Sequence, residues 1–143
     1  MRSVLQRVTQ ADVTVAGESV GKIGKGVLVL LGVEKGDTGA EVVAMARKLQ
    51  DLRLFSDDQG RMNLAARDAG GAFLVVSQFT LAADLAKGNR PSFDNAAPPE
   101  AAEALYEQFV FELKKGTCPV ATGKFRAMME VSLVNDGPVT FIL

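Results

Sequence analysis

The chain contains no histidine and no tryptophan, and only one cysteine, in 143 residues. The missing histidine removes the Ser-His-Asp triad, the Cys-His pair, the histidine-ligated zinc and the imidazole proton shuttle. Any catalysis must use carboxylates, hydroxyls, backbone groups or the substrate itself, and no metal or cofactor is expected. A single cysteine, Cys118, forbids an intramolecular disulfide and suits a reducing compartment. With no base near it, Cys118 reads as a packed thiol rather than a reactive one. Long apolar runs are missing as well. None exceeds Val27 to Leu31, far short of the ~20 residues of a membrane helix, and Met1 to Arg7 has no apolar signal core. The expectation is a cytoplasmic protein that does not enter a membrane. Charge of one sign is also scarce. Sixteen Lys and Arg against seventeen Asp and Glu give a net charge of −1, so only a local patch can serve a nucleic acid.

What is present describes a folded chain. With 48% hydrophobic and 23% charged residues it is globular, and its length fits one domain, residues 1–143. A chain of this size buries about 70% of its unfolded surface and needs no staple. Val4, Gln6 and Val8 alternate with Leu5, Arg7 and Thr9, and Val13 and Val15 alternate around Thr14. These read as strands ahead of a Gly17-Glu18 turn. Val27 to Val33 and Ala72 to Val76 are continuous apolar runs typical of strands covered on both faces. Thr38 and Glu41 fit a capping box before a helix with Val42, Met45, Leu49 and Leu52 on its apolar stripe. A second helix starts at Pro98-Pro99, presents Ala102, Leu105, Phe109 and Leu113, and ends at Lys114-Lys115 before a C′ glycine, Gly116. Shorter strands fall at Arg53 to Phe55, Met62 to Leu64, Met129 to Leu133 and Val139 to Leu143. The expected fold is α/β: a single domain of mixed and antiparallel β-sheets in a layered, barrel-like arrangement with two main helices.

Generic motifs for chemistry are absent. There is no Walker loop and no dinucleotide fingerprint. Gly21 to Gly26 fits a turn between strands, and Asp57-Asp58 fits a glycine-containing turn. Two segments differ from their surroundings. In Ser77-Gln78-Phe79-Thr80 a buried strand ends in two hydroxyls, an amide and one ring. Either these groups satisfy loose backbone donors, or the strand end is a ligand site, with Phe79 packing on a base. In Asn135-Asp136-Gly137-Pro138 a turn between the last two strands is expected, with glycine free to take unusual φ. Its X-Pro isomer is open. A cis bond would set two backbone carbonyls side by side with no Cβ on the glycine to obstruct a ligand.

At these two segments the sequence resembles the D-aminoacyl-tRNA deacylase family of the cis-proline type. Ser77-Gln78-Phe79-Thr80-Leu81 matches one family signature and Asn135-Asp136-Gly137-Pro138-Val139-Thr140 the other. Gln6-Arg7-Val8, Gly88 to Phe93 and Ser132-Leu133-Val134 support them, and the resemblance covers essentially the whole chain. It implies an editing hydrolase that cleaves the ester joining a D-amino acid, or glycine on alanine tRNA, to the tRNA acceptor end. It implies a homodimer in which Gly137 and Pro138 enter the partner subunit's pocket and reject L-amino acids with backbone carbonyls. By the same resemblance Ser77, Gln78, Phe79 and Thr80 form the catalytic group, and Arg7 holds the Gly-Pro motif. Ala102, Phe125 and Met129 resemble members of the family's adenosine pocket. The resemblance further implies that the tRNA's own 2′-hydroxyl assists hydrolysis, and DNA is not an expected partner. Two other readings stand beside it. One is a non-catalytic RNA- or nucleotide-binding module that uses Phe79 with Lys87, Arg90, Lys114, Lys115, Lys124 and Arg126. The other is an esterase acting on free aminoacyl esters.

Overall fold

A computed structural model describes all of residues 1–143. Eight strands and two helices follow in the order β1 (Arg2–Val15), β2 (Glu18–Ile23), β3 (Gly26–Gly32), α1 (Gly39–Asp51), β4 (Arg53–Ser56), β5 (Met62–Ala65), β6 (Ala72–Ser77), α2 (Pro99–Lys114), β7 (Val120–Thr122) and β8 (Glu130–Ile142). A 3₁₀ turn, Phe79–Ala82, follows β6. The main sheet runs β2-β1-β3-β6-β7, with β8 on the other side of β1, and β4-β5 is a separate hairpin. The β3–β6 and β6–β7 pairs are parallel and the rest are antiparallel. This is the mixed, nearly closed, barrel-like α/β architecture that the sequence leads one to expect.

The continuous apolar runs have a direct cause. β3 and β6 carry core on both faces. Val27, Val29, Leu31, Phe73 and Val75 pack with α1 and α2 residues, including Val42, Leu49, Phe109 and Leu113, in the larger cluster. Leu28, Leu74 and Val76 point the other way, onto Val8, Val13 and Ile23 inside the curved sheet. A strand buried on both faces cannot alternate apolar with polar residues. Glycines let the strands close. A Cβ on Gly26 would lie 2.0 Å from the Ala72 carbonyl oxygen, and one on Gly21 2.2 Å from that of Thr122.

The capping box is present at α1, with Ala40 N–H donating to Thr38 Oγ1 and Thr38 N–H donating to Glu41. Five expectations need correction. The first strand is not two pieces: β1 is a single strand of 14 residues, because β8 flanks nearly its whole length. On α1 the buried stripe is Val42, Ala46 and Leu49, with Met45 only packed against the core and Leu52 at the C-cap. On α2 it is Tyr106, Phe109, Val110 and Leu113, and Ala102 and Leu105 are only half-buried. Gly116 does not terminate α2 in a left-handed conformation, since the glycines with positive φ lie elsewhere. Instead Gln50 of α1 donates through Nε2 to the Glu112 and Leu113 carbonyls, satisfying the helix end with a side chain.

The fifth correction concerns the last strands. Asn135 to Pro138 is no reversing turn. β8 continues through it, and both halves pair with β1. Gln6 faces Thr140 and Val8 faces Asn135, so two steps along β1 oppose five along β8. The surplus residues bulge out opposite Arg7.

Candidate active site

β6 runs parallel to β3 until Ser77 faces Leu31, and Gln78 N–H makes the last bond, 2.8 Å to the Leu31 carbonyl. The chain then tightens into the 3₁₀ turn. Gly32 permits this, since a Cβ there would stand 2.9 Å from the Gln78 carbonyl oxygen and 3.0 Å from Leu81 Cβ. No side chain caps the turn. Leu81 N–H donates to Gln78 O at 3.2 Å, while the N–H groups of Phe79 and Thr80 donate to no protein acceptor. Two adjacent free amides next to a cleft are donors ready for a developing negative charge. The Gln78 amide donates to the Thr80 hydroxyl.

The cleft above this strand end has a volume of about 440 Å³. It brings together Ser77, Gln78, Phe79, Thr80, Ala102, Phe125 and Met129, which are seven of the ten residues singled out in the sequence. Phe79 is 57% exposed and stands edge-on to Phe93 of the following loop, ring centres 5.0 Å apart. Tyr106 forms the floor beside Phe125, at 5.6 Å between rings. Its hydroxyl donates to the Val75 carbonyl at 2.9 Å, and burial pushes its phenol up to about 12. Gly123 leaves room for Met129, since a Cβ there would lie 2.7 Å from Met129 Sδ. Arg126 is the only charged residue in the lining, and it adopts a left-handed φ of 60°. No carboxylate and no thiol reaches the cleft. Cys118 lies elsewhere, beside Gln50 and Arg67, and burial pushes its thiol up, away from thiolate chemistry at neutral pH.

Arg7, Gly137 and Pro138 are not in this cleft. They form the β8 bulge. Arg7 Nε donates to the Asp136 carbonyl at 3.0 Å and pairs with Asp136 Oδ2 at 3.3 Å, and Nη1 donates to the Leu54 carbonyl at 2.7 Å. Asn135 closes the base of the bulge: Val139 N–H donates to its Oδ1 at 2.7 Å, and its Nδ2 donates to the Val139 carbonyl at 3.2 Å. Gly137 has φ 143°, and a Cβ there would meet Val139 Cγ2 at 2.6 Å and Val139 N at 2.9 Å. The Gly137-Pro138 peptide is cis, and both residues are exposed. Sequence reasoning passed over the cleft residues Leu31, Val76, Tyr106, Met128 and Val131. Only the unique tyrosine, sitting on a helix stripe, carried a signal there.

Comparison with known proteins shows the family and the fold of the chain. Residues 4–143 match the family described as D-Tyr-tRNA(Tyr) deacylase. A D-aminoacyl-tRNA deacylase of Pelobacter propionicus is 59% identical over 143 residues, covering all of this chain and 99% of the relative. One of Geobacter sulfurreducens is 57% identical over the whole chain and 94% of the relative. A solved structure named c-Myc DNA Unwinding Element Binding Protein superposes with TM-score 0.94 at 45% identity, covering 100% of this chain and 97% of that one. A probable eukaryotic D-amino acid tRNA deacylase shares the fold, with TM-score 0.83 at 17% identity over 99% of this chain and 97% of that one. The chain belongs to the D-Tyr-tRNA(Tyr) deacylase family. It is therefore an enzyme, a hydrolase of carboxylic esters.

Proposed function

We propose that residues 1–143 act as one cytoplasmic editing domain that hydrolyses the ester between a D-amino acid, or glycine on alanine tRNA, and the terminal adenosine of tRNA. The observation that carries this reading is the cleft itself. It has an apolar wall suited to an adenosine, two free amides at Phe79 and Thr80, and no residue able to serve as general base. The family names D-Tyr-tRNA(Tyr) deacylase and D-aminoacyl-tRNA deacylase support the substrate class. Ala102, Phe125 and Met129 hold the adenosine. The amides of Phe79 and Thr80 face the oxyanion, each such donor being worth about 3–4 kcal/mol. Thr80, without a base, is a weak nucleophile. The substrate's 2′-hydroxyl positions the attacking water, and holding the ribose rigidly supplies the proximity that such assistance needs.

Selection comes from the second segment. The chain acts as a homodimer, and the exposed Gly137-Pro138 segment of one subunit enters the other's cleft, with Arg7 holding it in place. Backbone carbonyls there face the α-carbon. They exclude an L side chain, because backbone pinned by hydrogen bonds cannot swing aside. Glycine, having no side chain, passes the same wall.

The neighbour named for DNA unwinding element binding, 45% identical, motivates a second reading as a non-catalytic nucleic-acid binder. One assay separates the readings: hydrolysis of matched D- and L-aminoacyl-tRNA and glycyl-tRNA, with a D-aminoacyl ester lacking tRNA as control. Turnover restricted to D-aminoacyl- and glycyl-tRNA is expected. No turnover would favour the binder, and equal turnover of the free ester a plain esterase. A substrate ending in 2′-deoxyadenosine is expected to resist hydrolysis, and normal cleavage of it would refute the role of the 2′-hydroxyl.

A further inference from the structure

A second depression, about 530 Å³ in volume, lies on the other side of the Tyr106–Phe125 ring pair, which it shares as a wall with the candidate cleft. Its size falls in the range of ligand sites. From α2 it is lined by Glu103, Glu107, Phe111 and Lys114, which share one helix face, and from the opposite side by Lys124. Three features need an explanation that the core does not supply. Phe111 is 61% exposed in the last turn of α2, with the Lys115 ammonium 4.9 Å from its ring centre. Lys115 is neutralised by Glu112 at 2.6 Å, but Lys114 and Lys124 make no ion pair and face the same groove. Arg126, two residues from Lys124, continues the positive edge into the cleft.

We propose that this groove receives the nucleotides preceding the terminal adenosine in the single-stranded end of the RNA substrate, an assignment that rests on the deacylase reading above. Lys114 and Lys124 hold the phosphates, and Phe111 offers a face on which one base stacks. Glu103 and Glu107, which would repel a phosphate, lie along the helix on the Tyr106 side. There they accept hydrogen bonds from the exocyclic amino group of cytosine or adenine. Continuity with the cleft, two lysines free of ion pairs and an exposed ring all point to the same occupant. A chain with net charge −1 can hold RNA by such a local footprint without a global field.

The test uses two stable amide-linked analogues, D-aminoacyl-adenosine and the same group on a cytidine-cytidine-adenosine trinucleotide, with affinity measured by fluorescence anisotropy across a salt series. The wild-type chain is expected to bind the trinucleotide more tightly than the adenosine. In the Lys114→Gln/Lys124→Gln double variant the trinucleotide weakens about tenfold, and the salt slope falls by about 1.4, two phosphates at ~0.7 each. Phe111→Ala weakens the trinucleotide about tenfold. Neither change moves the adenosine analogue, and Lys48→Gln on α1 moves neither ligand. Unchanged trinucleotide binding in the double variant, or equal losses on both analogues, would overturn the groove while leaving the deacylase reading intact. Failure of the wild type to bind the adenosine analogue at all would overturn both.

Discussion

The cleft and the bulge are built by opposite means. The cleft is concave and mostly apolar, made where two parallel strands end and one helix covers them, and the backbone amides of Phe79 and Thr80 at its edge are left without protein partners. The bulge is exposed, made of surplus residues in an edge strand, and its polar groups are bound by Asn135 and Arg7. One region has a pocket and free donors; the other has a fixed backbone and no pocket. Each supplies what the other lacks, as the proposed two-subunit site requires.

Breaking the bulge is expected to have the largest effect. Gly137→Ala places a Cβ against Val139 at a φ that L side chains rarely adopt. It should cost about 1–3 kcal/mol of local strain and lower D-aminoacyl-tRNA hydrolysis on the order of 100-fold. Calorimetry and single-turnover rates on the same variant separate the two effects. Loss of thermal stability with full activity would separate the bulge from the chemistry.

Arg7→Lys comes next. The ammonium cannot span both the Asp136 and Leu54 carbonyls as the guanidinium fork does. A charged hydrogen bond of about 1.5–3 kcal/mol is lost, and the rate should fall about tenfold or more. Discrimination against L-aminoacyl-tRNA should loosen at the same time, which rate measurements on both substrates will show.

The cleft responds differently. Thr80→Ala is expected to keep the rate within about threefold, because no base activates its hydroxyl and the amides remain. A collapse comparable to deleting the pocket would make Thr80 the nucleophile.

Tyr106→Phe is expected to have the smallest effect, about 1 kcal/mol from the lost bond to the Val75 carbonyl. The phenol also sets an alkaline limit. Its value in the fold is raised to about 12 from an ordinary 10.0. Its stabilising contribution is therefore complete below pH 10 and is lost as pH climbs through 12. Denaturant unfolding between these values should show that decline in the wild type and a shallower one in Tyr106→Phe.

The difference between the regions also explains what the sequence disclosed. The apolar runs of β3 and β6, the capping box of α1 and the proline start of α2 were legible because each follows from a local rule of period or cap. Ser77 to Thr80 stood out because hydroxyls and an amide interrupt a buried strand. The floor of the cleft was hidden, since Leu31, Val76 and Val131 are ordinary strand residues until tertiary packing places them in its lining. The bulge was misread as a turn because Asn, Asp, Gly and Pro serve both structures. Only the pairing of Gln6 with Thr140 and Val8 with Asn135 distinguishes them, and such long-range register has no local sequence mark. The role of Gly116 was misassigned for a similar reason, as the helix end it borders is satisfied by Gln50 from another helix.

The claim that one site is made from both regions is tested most directly by a heterodimer. One subunit carries Gly137→Ala, the other carries a blocked cleft, Ala102→Trp, and distinct tags allow the mixed species to be purified after co-expression. Each variant alone is expected to be inactive as a homodimer. The heterodimer unites one intact cleft with one intact bulge, and should recover about half of the wild-type D-aminoacyl-tRNA hydrolysis, one site of two. A heterodimer as inactive as its parents would contradict the account, and would mean that cleft and bulge must belong to the same chain.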